Sequence, residues 1–426
     1  VRRLDYVYWS SPVKNFVVNS MSLNPAPGPI YKWNPTLANS NNGYGNWVSA
    51  SGQIMNVAEG YIVRAPSSYS LTNPTLFTAT FTGTPHNGSI SKTIYRGPYT
   101  GSPYLGTNGV EINNLSDNWN LIGNPYPSSI RASQFIVDNN SVIETNLQFW
   151  THGLSPSNLV SSPFYGSFGY NYSPNDYTVF NYTGMTCCPA IGSDFFIGSG
   201  QSFFVQMKDG PAGSGEVQFS NSLRNKSYTN STFFRNTTNS ESEFNIESIE
   251  KHRIWLDIYN LSGQSDRILI GYVDGASNEK DPFFDAVKTQ SNTLQIFSTD
   301  SNYKYSIQAK GLPFSSTDRI PLAINVIQAG THTIGILDVD GLFVNQSVWL
   351  KDEFLNVTHD LKTAPYQFQS ESGFHPNRFK LIFQNETLSL SENTTTQITA
   401  YKDDLRTIQV KANTTLEEIK IYDIQG

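Results

Sequence analysis

The stretch "RIWLDIYNLSGQSDRILIGYV", Arg253 to Val273, decides the fold class. Its two apolar runs, "RIWLDIYN" and "RILIGYV", are rich in the β-branched and aromatic residues that favour strands, and a polar turn separates them. Similar short runs recur along the whole chain, and no segment keeps a helical period for three turns. The sequence therefore predicts an all-β protein, with its short strands arranged in tandem Ig-like or jelly-roll-like sandwiches.

The composition agrees with this class. Aromatic residues make up 13% of the chain and charged residues only 15%, while 31 Gly and 22 Pro favour tight turns. The net charge is −7 and the basic residues are dispersed, which excludes a nucleic-acid partner. No stretch of about 18 apolar residues occurs, so the sequence predicts no transmembrane helix.

Two polar stretches divide the chain into predicted domains. The segment "NKSYTNSTFFRNTTNSESE" has no periodicity and predicts a linker, and the segment "ETLSLSENTTTQ" from Glu386 marks a second break. We therefore expect a β-sandwich domain over 1–224, a linker over 225–243, a second β-sandwich domain over 244–385 and a small β domain over 386–426. Because the chain begins with valine, we expect it to be part of a longer precursor.

The last 40 residues predict three short strands, "TQITAY", "TIQVKA" and "EIKIYDI". Alternation places Ile408 with Val410 on one face of the second strand, and Ile419 with Ile421 on one face of the third. Three strands of this length bury little apolar surface, so such a unit is marginal alone. It also exposes a strand edge that can pair with another chain.

The run "IKIYDIQG" after "YKDDLRTIQVKANTTLEE" resembles the C-terminal sorting signal of Bacteroidetes proteins exported by the type IX secretion system. The preceding segment, with "RIWLDIYN" and "RFKLIFQN", resembles the β-domain that stands before the type C version of this signal. Farther upstream, "NLIGNPYPSSI" and "GQSFFVQMK" resemble the preceding region of flavobacterial surface proteins.

This resemblance implies a secreted protein that is held on the outer face of the outer membrane or released, often as the end of a large adhesin. The implied partners are the type IX translocon and its outer-membrane shuttle protein. The implied signal residues are Ile408, Val410, Ile419, Ile421, Tyr422, Asp423 and Gly426, and we expect the signal to be incomplete at its end. The resemblance implies no reaction.

Motifs that carry catalysis are missing from the sequence. It contains no Gly-x-Ser-x-Gly elbow, no His-Glu-x-x-His helix and no phosphate-cradling glycine loop, and its six histidines are scattered. We therefore predict that the protein is not an enzyme and has no organic cofactor.

Acidic residues cluster in the segment "DGASNEKDPFFDA", which is a candidate calcium loop because hard cations prefer clustered oxygen ligands. Its candidate ligands are Asp274, Asn278, Asp281 and Asp285. The alternative is a loop in which these side chains cap backbone amides. In a second acidic segment, "DVDG", the pair Asp340-Gly341 predicts a hairpin turn.

The two cysteines of the chain are adjacent, Cys187 and Cys188. Neighbouring Cα atoms are about 3.8 Å apart, below the usual disulfide range, so bridging them needs a distorted peptide. Two readings stay open: two thiols in an irregular loop, or a strained vicinal disulfide, which the oxidising route of an exported protein favours.

Aromatic residues crowd the segment from Phe149 to Tyr182, between Asn, Ser and Gly. Rings exposed in such a loop can stack on sugars, because each offers a flat apolar face beside polar groups. A carbohydrate-binding module for surface glycans is therefore the alternative function, with Trp150, Tyr165, Tyr170 and Tyr172 as its candidate residues. The competing reading is that these rings fill the core beneath a long loop.

Overall fold

The computed structural model describes residues 1–21, 27–40, 42–98, 102–107, 111–113, 118–156, 171–187, 195–228, 249–288, 290–384, 398–402, 407–412, 418 and 420. The all-β prediction is confirmed. Strands dominate, and the described residues contain one α-helix, α1 (Ala132–Asn139). Short 3-10 helices span Val18–Met21, Pro174–Asp176, Asn221–Leu223 and Gly341–Val344. No helix in this described part has the length and hydropathy that crossing a membrane requires.

The chain forms two compact units, Val1–Phe383 and Gln384–Gly426. The predicted linker, 225–243, lies outside the described residues from position 229 onward. Strands on both sides of it belong to the first unit. The predicted start of the small terminal domain, Glu386, is two residues after the start of the second unit.

The first half of the large unit contains two four-stranded antiparallel sheets, with strand orders β1-β4-β2-β3 and β11-β10-β13-β8. The pairs β9–β12, β5–β14 and β6–β7 form smaller ladders. The strands are β1 (Tyr6–Trp9), β2 (Ile30–Ala38), β3 (Tyr44–Ser49), β4 (Tyr61–Arg64), β5 (Ile90–Tyr95), β6 (Tyr104–Leu105), β7 (Glu111–Ile112), β8 (Trp119–Gly123), β9 (Ile130–Arg131), β10 (Ile143–Trp150), β11 (Tyr177–Phe180), β12 (Phe196–Ile197), β13 (Ser202–Met207) and β14 (Ser214–Phe219).

The second half forms one eleven-stranded sheet, where the sequence predicted a sandwich of two sheets. Its strands are β15 (Lys251–Asn260), β16 (Ser265–Val273), β17 (Ala286–Val287), β18 (Gln295–Thr299), β19 (Lys304–Gly311), β20 (Arg319–Val326), β21 (Gly330–Val339), β22 (Trp349–Asp352), β23 (Val357–Asp360), β24 (Tyr366–Ser370) and β25 (Gly373–Ile382). The order is β23-β22-β25-β20-β18-β19-β16-β15-β21-β24, and β17 pairs with β19. The opening stretch forms β15 and β16, paired antiparallel from Lys251–Val273 to Tyr259–Ser265.

Side chains link the two ends of this sheet, which is nearly closed on itself. The buried carboxylate of Asp352, on β22, accepts hydrogen bonds from Tyr366 Oη on β24 and Arg378 Nη2 on β25, both at 3.1 Å. Arg378 Nη1 also donates to the Gln369 carbonyl oxygen on β24, at 2.8 Å. We call Asp352, Tyr366 and Arg378 the clasp. The curled sheet encloses an aliphatic and aromatic core.

The two halves are bound to each other through buried contacts. Trp255, on β15, is 1% exposed, and its Nε1 donates to the Met185 carbonyl oxygen at 2.8 Å. Thr183 Oγ1 donates to the Phe284 carbonyl oxygen at 2.6 Å. A small apolar cluster contains residues of both halves: Val179, Trp255, Leu269, Ala286 and Ile307.

Two local predictions are wrong. The alternating run "LFTATFTG", Leu76 to Gly83, predicts a strand, but it has no strand pairing. Its alternate residues Phe77, Ala79 and Phe81 still pack against the core of the first sheet, so the alternation reflects burial without a ladder. The Asp340-Gly341 pair, expected to form a hairpin turn, leads from β21 into the 3-10 helix Gly341–Val344.

In the small unit, two of the three predicted strands are confirmed: β26 (Ile398–Lys402) pairs antiparallel with β27 (Ile408–Ala412). Ile408 is exposed and Val410 is half-buried on β27. The third predicted strand, with Ile419, Ile421, Tyr422, Asp423 and Gly426, lies outside the described residues apart from Glu418 and Lys420.

Candidate functional site

A cleft of about 1010 Å³ opens within the large unit. Its first wall comes from both four-stranded sheets, and its second wall comes from β15, β16 and the segment around 280–295. Ligand pockets are usually about 300 to 1,000 Å³, so this cleft suits a ligand larger than a single sugar ring.

Aromatic side chains dominate the first wall. Eight of the eleven rings are only partly buried. The eleven are Tyr6, Tyr8, Tyr31, Trp33, Tyr44, Trp47, Trp119, Trp150, Tyr172, Tyr177 and Phe204. The rings come from strands distant in sequence, which the sheet order brings side by side.

Ring packing and hydrogen bonds fix these side chains. Tyr8 stacks on Trp150 with centroids 5.8 Å apart and planes 8° from parallel, and Trp150 meets Tyr177 edge-on at 5.0 Å. Tyr8 Oη and Tyr177 Oη are hydrogen-bonded at 2.7 Å, and Trp33 Nε1 donates to the Trp119 carbonyl oxygen at 2.8 Å. Such a wall loses little side-chain entropy when a ligand stacks on it.

A polar row lies on β10, beside the aromatic wall. Alternate residues Glu144, Asn146 and Gln148 line the cleft, because the residues between them point into the protein core. All three are half-buried, and none has a hydrogen-bond or ion-pair partner in the described part of the chain. We call Glu144, Asn146 and Gln148 the β10 row.

The charges of the second wall are paired with each other. Arg267 and Asp257 form a two-contact ion pair, and Lys288 bonds Asp266 across the same wall. Asn175 Nδ2 donates to carbonyl oxygens of Ser265 and Leu294, which joins the walls at one end of the cleft. The β10 row is thus a continuous group of polar side chains without a partner, and Arg64 and Glu111 of the described lining have none either.

Asp176 lies at the aromatic end of the cleft and is 3% exposed. Burial raises the pKa of its carboxyl to about 7, although Asp176 Oδ1 accepts a hydrogen bond from the Leu154 amide at 2.8 Å, which lowers it. Burial also lowers the pKa of the neighbouring His152 to about 4. Both side chains are therefore largely uncharged near pH 6.

We expect Asp176→Asn to weaken the pH dependence of stability between about pH 4 and pH 7. The folded-state pKa of Asp176 is above the ordinary value of 3.8, so in this window the folded state binds more protons and stability falls as pH rises, by about 1.4 kcal/mol per pH unit. Asparagine keeps an acceptor for the Leu154 amide but does not ionise. Urea unfolding across this range measures the slope; identical slopes for both proteins would contradict the assignment.

The predicted aromatic residues are partly brought together. Trp150 and Tyr172 both line the cleft, with centroids 6.0 Å apart, while Tyr165 and Tyr170 lie outside the described residues. Sequence reasoning missed the other rings. Their signal was the spacing of two in "YVYW" and "YKW", which puts Tyr6 with Tyr8 and Tyr31 with Trp33 on one face of each strand.

Three of the four candidate calcium residues, Asn278, Asp281 and Asp285, cap backbone amides. Asp285 Oδ2 and Oδ1 accept from the Asp281 and Ala309 amides, each at 2.7 Å, and Asn278 Oδ1 accepts from the Gly311 amide at 3.3 Å. No group of three or more His, Cys, Asp or Glu placed to hold a metal occurs among the described residues, so Asp274, Asp281 and Asp285 do not form one.

Cys187 is disulfide-bonded, and its amide donates to Thr178 Oγ1 at 2.9 Å beside the cleft. Cys188, the chain's only other cysteine, lies outside the described residues.

No curated protein and no solved structure matches the chain. One family does match, over residues 1–383, which is the large compact unit. The chain therefore belongs to the DUF8693 family, described as a domain of unknown function.

Proposed function

We propose that the large unit binds carbohydrate in the cleft. The observation that carries this proposal is the aromatic wall, in which eight partly buried Tyr and Trp rings line one open cavity. Sugar rings have apolar faces that stack on aromatic rings, and their hydroxyls bond to polar side chains beside them. The β10 row supplies such side chains. This proposal assigns binding and no reaction.

Tyr31→Ala and Trp119→Ala test the carbohydrate proposal. Each removes a partly buried ring of the cleft, and we expect affinity for a bound glycan to fall at least tenfold, equal to about 1.4 kcal/mol. Tyr259→Ala is the matched control, because Tyr259 is 40% exposed and lies outside the cleft. Titration calorimetry after a glycan-array screen gives the affinities. Failure of the wild-type chain to bind any glycan would remove the proposal.

We further propose that the small unit is an export signal of the type IX secretion system, so that the large unit is delivered to the cell surface. The observation in favour is a shared boundary: the compact unit ends at Phe383, and the family match ends at residue 383. The remaining residues thus follow the domain that the family match covers. Their β26–β27 hairpin is short, and a short hairpin needs a partner for stability.

Removing Glu386–Gly426 tests the export proposal. In a bacterium with this secretion system, a fluorescent protein should reach the cell surface when it carries at its C-terminus the full chain together with any residues that follow Gly426 in its gene. The truncated fusion should stay in the periplasm. The full fusion in a translocon-deficient strain is the control and should behave like the truncation. Surface proteolysis and fractionation measure both. Undiminished export of the truncated fusion would exclude the signal.

A further inference from the structure

We infer that the cleft recognises an extended, uncharged oligosaccharide chain laid along β10, and that Asn146 and Gln148 determine this specificity. The inference rests on the proposed carbohydrate function and names the class of carbohydrate. Three properties of the cleft carry it: the length of the β10 row, its free hydrogen-bonding groups, and the charge of the cleft.

The length of the row favours a chain over a single terminal sugar. Glu144, Asn146 and Gln148 alternate along one strand toward Trp150, a span of about 20 Å at 3.3 to 3.4 Å per residue. One sugar ring covers only a fraction of this distance. An oligosaccharide of several units can bond the row along its length and reach the rings at its end.

The row and the rings are in register for such a chain. Trp150 pairs directly with Tyr177 on β11, and Gln148 pairs with Phe204 on β13. The polar row therefore continues into the aromatic wall on a single sheet surface. An oligosaccharide on this surface meets hydroxyl-bonding side chains at one end and stacking rings at the other. Sugars can use both, because each sugar ring has a polar edge and an apolar face.

Amides suit hydroxyl groups because each side chain offers both a donor and an acceptor. The amides of Asn146 and Gln148 are half-buried, line the cleft, and have no partner among the described side chains and backbone groups. The ion pairs of the opposite wall keep Arg267 and Lys288 occupied. The two amides of the row are therefore available to discriminate between ligands.

The charge of the cleft disfavours acidic glycans. Carboxylates outnumber cationic groups in the described lining, and Glu144 in the row has no cation beside it. Apart from Asp176, whose carboxyl is largely uncharged near pH 6, the carboxyl-bearing residues are Glu111, Glu144, Asp257, Asp266 and Asp285, against Arg64, Arg267, Lys280 and Lys288. A uronate or sulfated chain in this position would meet an unpaired carboxylate, whereas a neutral chain would not.

Titration of the full chain with defined oligosaccharides tests the inference. The neutral probes are cellohexaose, xylohexaose and mannohexaose with their trimers, and the acidic probe is an oligoguluronate of six units. At least one neutral hexamer should bind at least tenfold more tightly than its trimer and than the oligoguluronate. Asn146→Ala and Gln148→Ala should each weaken that hexamer five- to fiftyfold. The matched control is Gln367→Ala, an exposed strand glutamine outside the cleft, which should leave affinity unchanged.

The outcomes separate this inference from the function on which it rests. Binding of glycans without length dependence, preference for the acidic chain, or insensitivity to both row variants would overturn the inference and leave carbohydrate binding in place. Loss of binding in all variants, including the control Gln367→Ala, would also overturn the inference, because the loss would then not be specific to the β10 row. If neither these probes nor any glycan on an array bound the wild-type chain, the proposed function itself would fail. Melting curves confirm that each variant is folded.

Discussion

Asp352→Ala should lower the free energy of unfolding of the large unit by about 3 to 5 kcal/mol, because it leaves the buried Arg378 without its counter-charge. Asp352 is 0% exposed and accepts three further hydrogen bonds, from Tyr366 Oη and from the Phe354 and Leu355 amides. Guanidinium unfolding followed by tryptophan fluorescence measures the loss.

The neighbouring residue provides the control for Asp352. Glu353 pairs with Lys380 at 2.7 Å, but both side chains are more than a third exposed. Exposed ion pairs contribute about 0 to 1 kcal/mol, so Glu353→Ala should have a small effect. Asp352→Asn should give an intermediate loss, because asparagine keeps acceptors for the amides but removes the charge. Equal losses from Asp352→Ala and Glu353→Ala would show that the clasp does not hold the sheet ends together.

The clasp also shows why the sequence predicts the positions of strands better than the order in which they pair into sheets. Alternation in "RIWLDIYN" or "QSVWLKD" reports which face of a strand is buried, and those strands are present as β15 and β22. Alternation carries no information on which strand lies beside which. The single nearly closed sheet depends on contacts such as Asp352 with Tyr366, whose residues fall in separate predicted strands.

The candidate site was predictable only in part for the same reason. Trp150 and Tyr172 stood out because they lie in one dense aromatic segment. Trp33 and Trp47 belong to other strands, and they join the same wall only through the pairing of β2 with β3 and the packing of that sheet on Phe204. The β10 row is an ordinary alternating strand in the sequence; its function depends on the cavity that its polar face borders.

Trp255→Ala should also lower the free energy of unfolding by about 3 to 5 kcal/mol, through the cavity that a buried Trp leaves and the loss of the Nε1 bond to the Met185 carbonyl oxygen. The Arg253 guanidinium, 4.8 Å from the Trp255 ring centroid, would lose its stacking partner as well. Leu261→Ala is the control, because Leu261 is 88% exposed and should change stability by less than about 0.5 kcal/mol.

The part of the structure that Trp255→Ala destabilises is as informative as the size of the stability loss. Trp255 belongs to β15, but its hydrogen bond and its contact with Val179 lie in the first half of the chain. Since both halves form one compact unit, we expect amide hydrogen exchange to accelerate in β10 and β11 as well as in β15 and β16. Faster exchange confined to the second half would mean that the halves unfold as the two independent sandwich domains that the sequence predicted. Faster exchange in both halves would show that the two walls of the cleft unfold together as one cooperative unit. A cleft built from both halves requires this.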